Sequence, residues 1–238
     1  MIQGVMGVLR LTVGVALTIL VAIAVLFSVP FDRHGRYYHA HARFWSRGLL
    51  KIFGVRLRVH GVESIDRSRN YIYVSNHASM FDIPIVAAGV PDDVRLIYKK
   101  ELEKIPVFGW GLRWGSYIGI DRGRGAEAKK SLDEAVERIR RGASVLLFAE
   151  GTRTLDGCLQ PFKRGAFNLA VRSGVPVVPM TINGSYTIVP KHSLRIRPGT
   201  VDLYLDPPIP IDPSGGRDAE IRLMDQVRRA IEHHYIDQ

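Results

Sequence analysis

The alternation of apolar and polar positions divides the chain into a long apolar head and a regular succession of short strands and amphipathic helices. Residues 11–31 form a charge-free run of 21 residues rich in Val, Leu, Ile and Ala, long enough to cross a bilayer, which takes about 20 residues. Beyond it, residues 55–59 and 71–75 read as strands, 81–89 as a short helix and 95–98 as another strand. Pro84 removes a hydrogen bond in an early turn of that helix and predicts an irregular start. Residues 110–121 are rich in Gly and aromatics and end in an apolar strand-like run, 117–120. The clearest helix is 126–141, where Ala128, Leu132, Ala135, Val136 and Ile139 recur at helical spacing and Gly142 is the stop. Residues 145–148 read as a buried strand, 166–173 as helix, 175–182 as strand, 201–205 as strand, and 219–235 as a basic amphipathic helix.

Strands alternating with helices predict an α/β fold, a largely parallel central sheet flanked by helices. N-terminal membrane-embedded or interfacial helices precede it. The expected division is a membrane anchor with interfacial helices over 1–54 and an α/β domain over 55–238.

Composition narrows the setting. With 46% hydrophobic and 24% charged residues, the chain has enough apolar surface to fold, which excludes the disordered class. Its one cysteine, Cys158, excludes an intrachain disulfide framework and any multi-cysteine zinc site. The formal charge of +10, from 33 Lys and Arg against 23 Asp and Glu, points to anionic partners: nucleic acid, an acidic membrane surface or phosphorylated substrates. The apolar head favours the last two. Only Arg10 precedes the apolar run, whereas Arg33, Arg36, Arg43, Arg47 and Lys51 follow it. By the positive-inside rule the C-terminal bulk lies on the cytoplasmic face of the cell membrane. A cleavable signal peptide would have a more basic start and a shorter apolar stretch, so a retained anchor is expected. Tyr37, Tyr38, Phe44 and Trp45 among those cations make an interfacial segment, and His34, His39 and His41 read as interfacial histidines within it.

Chemistry concentrates after the second strand, in Asn76-His77-Ala78-Ser79-Met80-Phe81-Asp82. A histidine with a carboxylate beside it can take a proton from a hydroxyl near neutral pH. The carboxylate fixes the ring tautomer and stabilises the imidazolium as it forms. Five residues on a helix are about 140° out of phase. His77 is therefore expected in the turn before the helix, with Asp82 in its first turn and Ser79 as N-cap. Two readings fit this window. One is a catalytic pair; the other is an ordinary capped turn, since Ser79 and Asp82 also match a capping box.

Glu150-Gly151-Thr152-Arg153 follows the strand at 145–148, at the kind of strand end where α/β sheets bind ligands. Arg153 offers a fork of donors suited to phosphate, and Gly151 permits a sharp turn. Lys99-Lys100-Glu101, Asp121-Arg122-Gly123-Arg124 and Lys163-Arg164-Gly165 are further basic clusters beside predicted strand ends. Gly123-Arg124-Gly125-Ala126-Glu127-Ala128 matches a dinucleotide-binding turn, with Glu150 as candidate ribose acid. Arg124 inside that turn is unusual for one. The chain has no G-x-S-x-G elbow, no P-loop and no H-E-x-x-H.

Taken together, these stretches resemble the glycerolipid acyltransferases, most closely the 1-acylglycerol-3-phosphate acyltransferases. The motif N-H-x-S-x-x-D is met at Asn76, His77, Ser79 and Asp82. A second block resembles Lys99-Lys100-Glu101-Leu102 through Ile105-Pro106 and Gly109-Trp110 to Ile120-Asp121-Arg122. The third, F-P-E-G-T-R-S, is matched by Phe148-Ala149-Glu150-Gly151-Thr152-Arg153-Thr154, with Ala149 in place of proline and Thr154 in place of serine. The fourth, V-P-[IV]-[VI]-P, is matched by Val175-Pro176-Val177-Val178-Pro179. The resemblance covers residues 55 to 190.

It implies an O-acyltransferase in which His77 deprotonates a lysophospholipid hydroxyl and Asp82 orients His77. Arg153 and Arg122 would bind the acceptor phosphate with Lys99 or Lys100 nearby. Glu150 and Gly151 would shape that site, and Asn76, Ser79 and Thr152 would complete the substrate-binding set. The acyl donor would be acyl-CoA or acyl carrier protein, with no metal and no cofactor. Lysophosphatidic acid is the expected acceptor, with glycerol-3-phosphate or another lysolipid as alternatives. Two readings of other classes compete: a non-catalytic membrane lipid-binding protein, and a membrane reductase using the Gly123 turn.

Overall fold

The computed structural model describes residues 2–28, 31–32, 35–105, 109, 112, 115–121, 123, 125–193, 195–212 and 214–237. Helix α1 (Ile2–Ser28) packs along α2 (Arg36–Phe53). Small residues allow the close approach. A Cβ added to Gly48 would lie 2.6 Å from Leu17 Cδ2, and one on Gly14 would meet the Phe53 ring at 3.0 Å. Trp45 Nε1 donates to Thr18 Oγ1 at 3.0 Å. Elsewhere on α1, Leu20, Ile23 and Phe27 are exposed. The stretch Met6–Ser28 is long and apolar enough to cross a membrane.

Helix α2 joins this element to the domain. Its face carrying Leu49, Leu50 and Phe53 is buried in the core, whereas Tyr37 and Phe44 are exposed. One histidine departs from expectation. His39 is not a surface residue but is buried, with Nε2 3.2 Å from Ser116 Oγ. Burial pushes its pKa down to about 4, because an imidazolium there loses its water. His34 lies outside the described residues.

The sheet contains strands β1 (Val55–His60), β2 (Ile72–Ser75), β3 (Arg95–Lys99), β4 (Ile118–Ile120), β5 (Val145–Phe148), β6 (Val177–Asn183) and β7 (Gly199–Leu205). Its order is β1-β7-β6-β2-β5-β3-β4, and all neighbours are parallel except β6 and β7. Helices α3 (Asp82–Gly89), α4 (Ala126–Arg140), α5 (Arg164–Ser173), the single turn α6 (Ser185–Ile188) and α7 (Gly216–His234) follow the strands. Strand alternation splits the core into two layers. Tyr73 packs with Phe53, Ile85 and Met180 on the α2–α3 side. Its neighbours Ile72 and Val74 pack with Ile139, Phe167 and Val227 on the α4–α5–α7 side.

Because β6, β2, β5, β3 and β4 run parallel, their C-terminal ends share one edge of the sheet. That edge carries Lys99 at the end of β3 and the loops containing His77, Glu150 and Asp121. The expected boundaries hold within a few residues. Strand β6 starts at Val177 rather than 175, beyond Pro176, which has no N–H for a ladder.

Candidate active site

At the C-terminal end of β2 the chain turns through Asn76–Phe81 into α3. His77 Nδ1 lies 2.7 Å from Asp82 Oδ2. The same oxygen accepts the backbone N–H groups of Ala78 and Ser79, each at 2.8 Å. Three donors on one carboxylate oxygen fix Asp82, which is fully buried at the start of α3, where a negative charge also meets the favourable end of the helix dipole. The Nδ1 hydrogen therefore points to Asp82, and Nε2 is left as the basic nitrogen.

The imidazole lies flat on Phe148, with centroids 3.8 Å apart and planes 9° from parallel. Phe148 is the last residue of β5, and it pairs with Ser75 of β2. That register sets it beside His77 across the strand ends. Its place before Glu150 was legible in the sequence, but its stacking role was not.

The two turns are bonded together. Glu150 Oε1 accepts the His77 N–H at 2.6 Å, and Oε2 accepts the Gln160 N–H at 3.1 Å. Thr154 N–H donates to the His77 carbonyl at 2.9 Å. Burial pushes the Glu150 pKa up to about 7, against the opposing pull of those two backbone bonds. Glu150 is buried, with each oxygen turned to a backbone N–H, so it does not present its carboxylate to a ribose. That removes the acid the dinucleotide reading needs.

Other predicted residues hold the scaffold. Asn76 donates from Nδ2 to the Ile182 carbonyl at 2.9 Å and accepts the Ile182 N–H at 2.8 Å. Ser79 Oγ donates to the Val189 carbonyl at 3.0 Å and accepts the Phe81 N–H at 3.2 Å. Helix α3 begins at Asp82, with Phe81 at the N-cap position and no side-chain cap. Ser79 is therefore not the cap; it forms a tight turn one step earlier. Of the capping pattern only one half forms, Asp82 Oδ2 accepting the Ser79 N–H, and that same oxygen holds His77.

The cationic side chains are distributed around this edge. Gly151 has φ of 70°, and the Lys163 side chain crosses it so closely that a Cβ would fall 2.9 Å from Lys163 Cδ. Thr152 is exposed and Arg153 half-buried; among the described residues no hydrogen bond or ion pair engages the Arg153 guanidinium. Lys99 is exposed and paired with Glu101, and Lys100 is exposed at the start of a 3-10 turn, Lys100–Lys104. Arg122 lies outside the described residues. Arg164 is drawn away by Glu220, 2.7 Å distant. Lys191, which no motif flagged, reaches the Thr152–Arg153 turn from the segment after β6. Among the described residues, no group of three His, Cys, Asp or Glu side chains gathers to hold a metal.

This geometry suits removal of a proton from a hydroxyl beside a cationic rim. Comparison with known proteins agrees. A sequence profile of the Acyltransferase family matches residues 56–183. The chain belongs to the acyltransferase family. A chloroplastic 1-acyl-sn-glycerol-3-phosphate acyltransferase of Brassica napus is 34% identical over 205 residues, covering 84% of this chain and 59% of that protein. The human 1-acyl-sn-glycerol-3-phosphate acyltransferase alpha is 32% identical over 162 residues, covering 68% of this chain and 57% of that protein. The chain thus spans under two thirds of these relatives' length. A crystal structure of a 1-acyl-sn-glycerophosphate acyltransferase from Thermotoga maritima superposes with a TM-score of 0.82 at 28% identity, covering 97% of this chain and 95% of that one. The family match spans β1 to β6, and both bonded turns fall within it.

Proposed function

We propose that this acyltransferase moves a fatty acyl group from a thioester donor, acyl-CoA or acyl carrier protein, to the sn-2 hydroxyl of 1-acylglycerol-3-phosphate, forming phosphatidic acid. The observation that carries the proposal is the His77 Nδ1–Asp82 Oδ2 bond of 2.7 Å at a cationic strand-end edge. The names of the relatives and of the superposing structure support the choice of acceptor.

In this reading His77 Nε2 takes the hydroxyl proton as the acceptor oxygen attacks the thioester carbonyl. The C–O bond forms, the C–S bond breaks, and the imidazolium returns its proton to the leaving thiolate. No acyl-enzyme intermediate is needed, because the substrate brings its own nucleophile. Asp82 holds the ring and balances the imidazolium charge. Phe148 limits the ring to one plane, which keeps Nε2 aimed. Arg153, Arg122, Lys99 and Lys100 supply positive charge for the acceptor phosphate, with Thr152 at the same turn. Asn76, Ser79, Glu150 and Gly151 act on substrate through the shape of the two turns.

The bare face of α1 and the aromatic, basic surface of α2 support a site at a membrane surface. Residues 1–54 then serve as the membrane part and 55–238 as the catalytic part. The charge asymmetry around α1 supports the cytoplasmic face of the cell membrane for the latter. The deciding experiment is acyl transfer from a labelled acyl thioester to a panel of lysophosphatidic acid, glycerol-3-phosphate and zwitterionic lysolipids by the purified protein in detergent. Lysophosphatidic acid is expected to be the preferred acceptor. Preference for a zwitterionic lysolipid or for glycerol-3-phosphate would replace the assignment, and no transfer to any of them would remove it.

A further inference from the structure

The segment Val189-Pro190-Lys191-His192 follows β6 and α6 and lies against the site. It touches both functional turns. The Val189 carbonyl accepts the Ser79 hydroxyl of the His77 turn at 3.0 Å. Two residues later, Lys191 Nζ donates to Thr152 Oγ1 at 3.2 Å and to the Arg153 carbonyl at 3.1 Å. His192 has φ of 67°, the one non-glycine residue with positive φ among the described residues. A side chain disfavours that conformation. The backbone is thus held in a costly shape directly beside the lysine that reaches into the turn, the kind of place where strain and function coincide.

An ammonium group has three N–H donors. Two of those on Lys191 are engaged by the Thr152–Arg153 turn, which leaves one for a ligand. The ammonium is attached to the backbone stretch that also bears Arg153, and Lys163 crosses the same turn at Gly151. Three cationic side chains therefore surround one tight turn, which is bonded through Glu150 and Thr154 to His77. An anionic group docked on that turn would be tied to the hydroxyl-activating histidine through two hydrogen bonds.

We infer that Lys191 is a specificity-determining residue that selects phosphate-bearing acceptors, contacting the acceptor phosphate with its free donor while its other two N–H groups hold the turn in place. This inference rests on the proposed acyl transfer and extends it, since none of the motifs includes Lys191. The partner chemistry is a phosphomonoester on a short glycerol frame, for which a point charge is well suited.

The test uses the full chain in detergent with lysophosphatidic acid and with 1-acylglycerol, which lacks the phosphate. Lys191→Met keeps the side-chain stem and removes the charge. It is expected to raise the KM for lysophosphatidic acid about tenfold or more, a larger change than in kcat or in the donor KM. Turnover of 1-acylglycerol, which senses only the loss of the two bonds that brace the turn, should fall much less, so the ratio of the two specificities falls. Lys191→Arg should recover most of the loss. A lysine that only braced the turn would lower kcat/KM on both acceptors by the same factor, and that result overturns the inference. A second arm needs no turnover: His77→Ala protein, with and without Lys191→Met, is titrated with each lipid in neutral micelles. Weaker binding of lysophosphatidic acid alone supports the role of Lys191 even if acyl transfer goes to a different acceptor. Equal binding by both proteins removes it even if acyl transfer is confirmed.

Discussion

His77 Nδ1 sits 2.7 Å from Asp82 Oδ2, the oxygen that also takes the backbone N–H groups of Ala78 and Ser79. The arrangement explains why five residues separate the pair. The turn must coil back far enough for two amides to reach the carboxylate, and the imidazole then closes the third bond. His77→Ala should leave a folded, membrane-associated protein with acyl transfer reduced by roughly 10²–10⁴-fold. Asp82→Asn should lower kcat by about 10²-fold or more and lower stability by about 1–3 kcal/mol, because charge-assisted bonds to a buried oxygen become neutral ones. Turnover with circular dichroism and urea unfolding separates the two effects; full activity in His77→Ala would refute the mechanism.

The ring of Phe148, 3.8 Å from that of His77, is a support for the base rather than a reactant. Phe148→Ala should reduce kcat about tenfold while changing both KM values little, since the imidazole gains rotational freedom. Phe148→Tyr keeps the flat face and should keep most of the rate. Steady-state kinetics on the two variants checks this, and equal losses in both would argue against stacking as the cause.

Glu150 gives the site a pH signature in stability. Its carboxyl is pushed up to about 7 by burial, against an ordinary value near 4.5. The folded state therefore holds a proton that the unfolded state has released across that interval. The contribution is complete below about pH 4.5 and is lost as pH rises through about 7. Glu150→Gln resembles the protonated acid at every pH. Wild-type stability should fall relative to Glu150→Gln between pH 5 and pH 8, as measured by urea unfolding in detergent. A rise over that range would show that the two backbone bonds outweigh burial.

Arg153 presents a guanidinium without a protein partner among the described residues, beside the turn that Lys191 braces. Arg153→Ala should raise the acceptor KM by about tenfold or more and the donor KM little, because a fork of donors to phosphate is lost. Comparable increases for donor and acceptor would speak against a phosphate contact.

Removal of residues 1–31 takes away the apolar stretch Met6–Ser28 and exposes the face of α2 that carries Gly48 and Phe53 against α1. Flotation on liposomes should show a reduced membrane-bound fraction, with the aromatic and basic residues of α2 retaining part of the binding. An unchanged fraction would mean that α1 is not the anchor.

Much of this protein could be read from its linear pattern. The 3.6-residue period of α4, the alternation in the strands and the apolar length of α1 are local properties, so the sequence alone determined the elements and the layered α/β class. The spacing of His77 and Asp82 is local too, and it placed the pair on either side of a helix start. Neighbour relations were decided only by tertiary structure. Glu150 meets the His77 N–H across 73 residues, and Phe148 covers the imidazole because β2 and β5 pair in one particular parallel register. Asn76 and Ser79 carry motif positions, yet their bonds go to Ile182 and Val189, more than 100 residues away. His39 and Lys191 took their surroundings from separate segments. Parallel strands are joined by long crossovers, so which strand ends meet depends on how whole layers pack, and that choice leaves no mark in any short window of sequence.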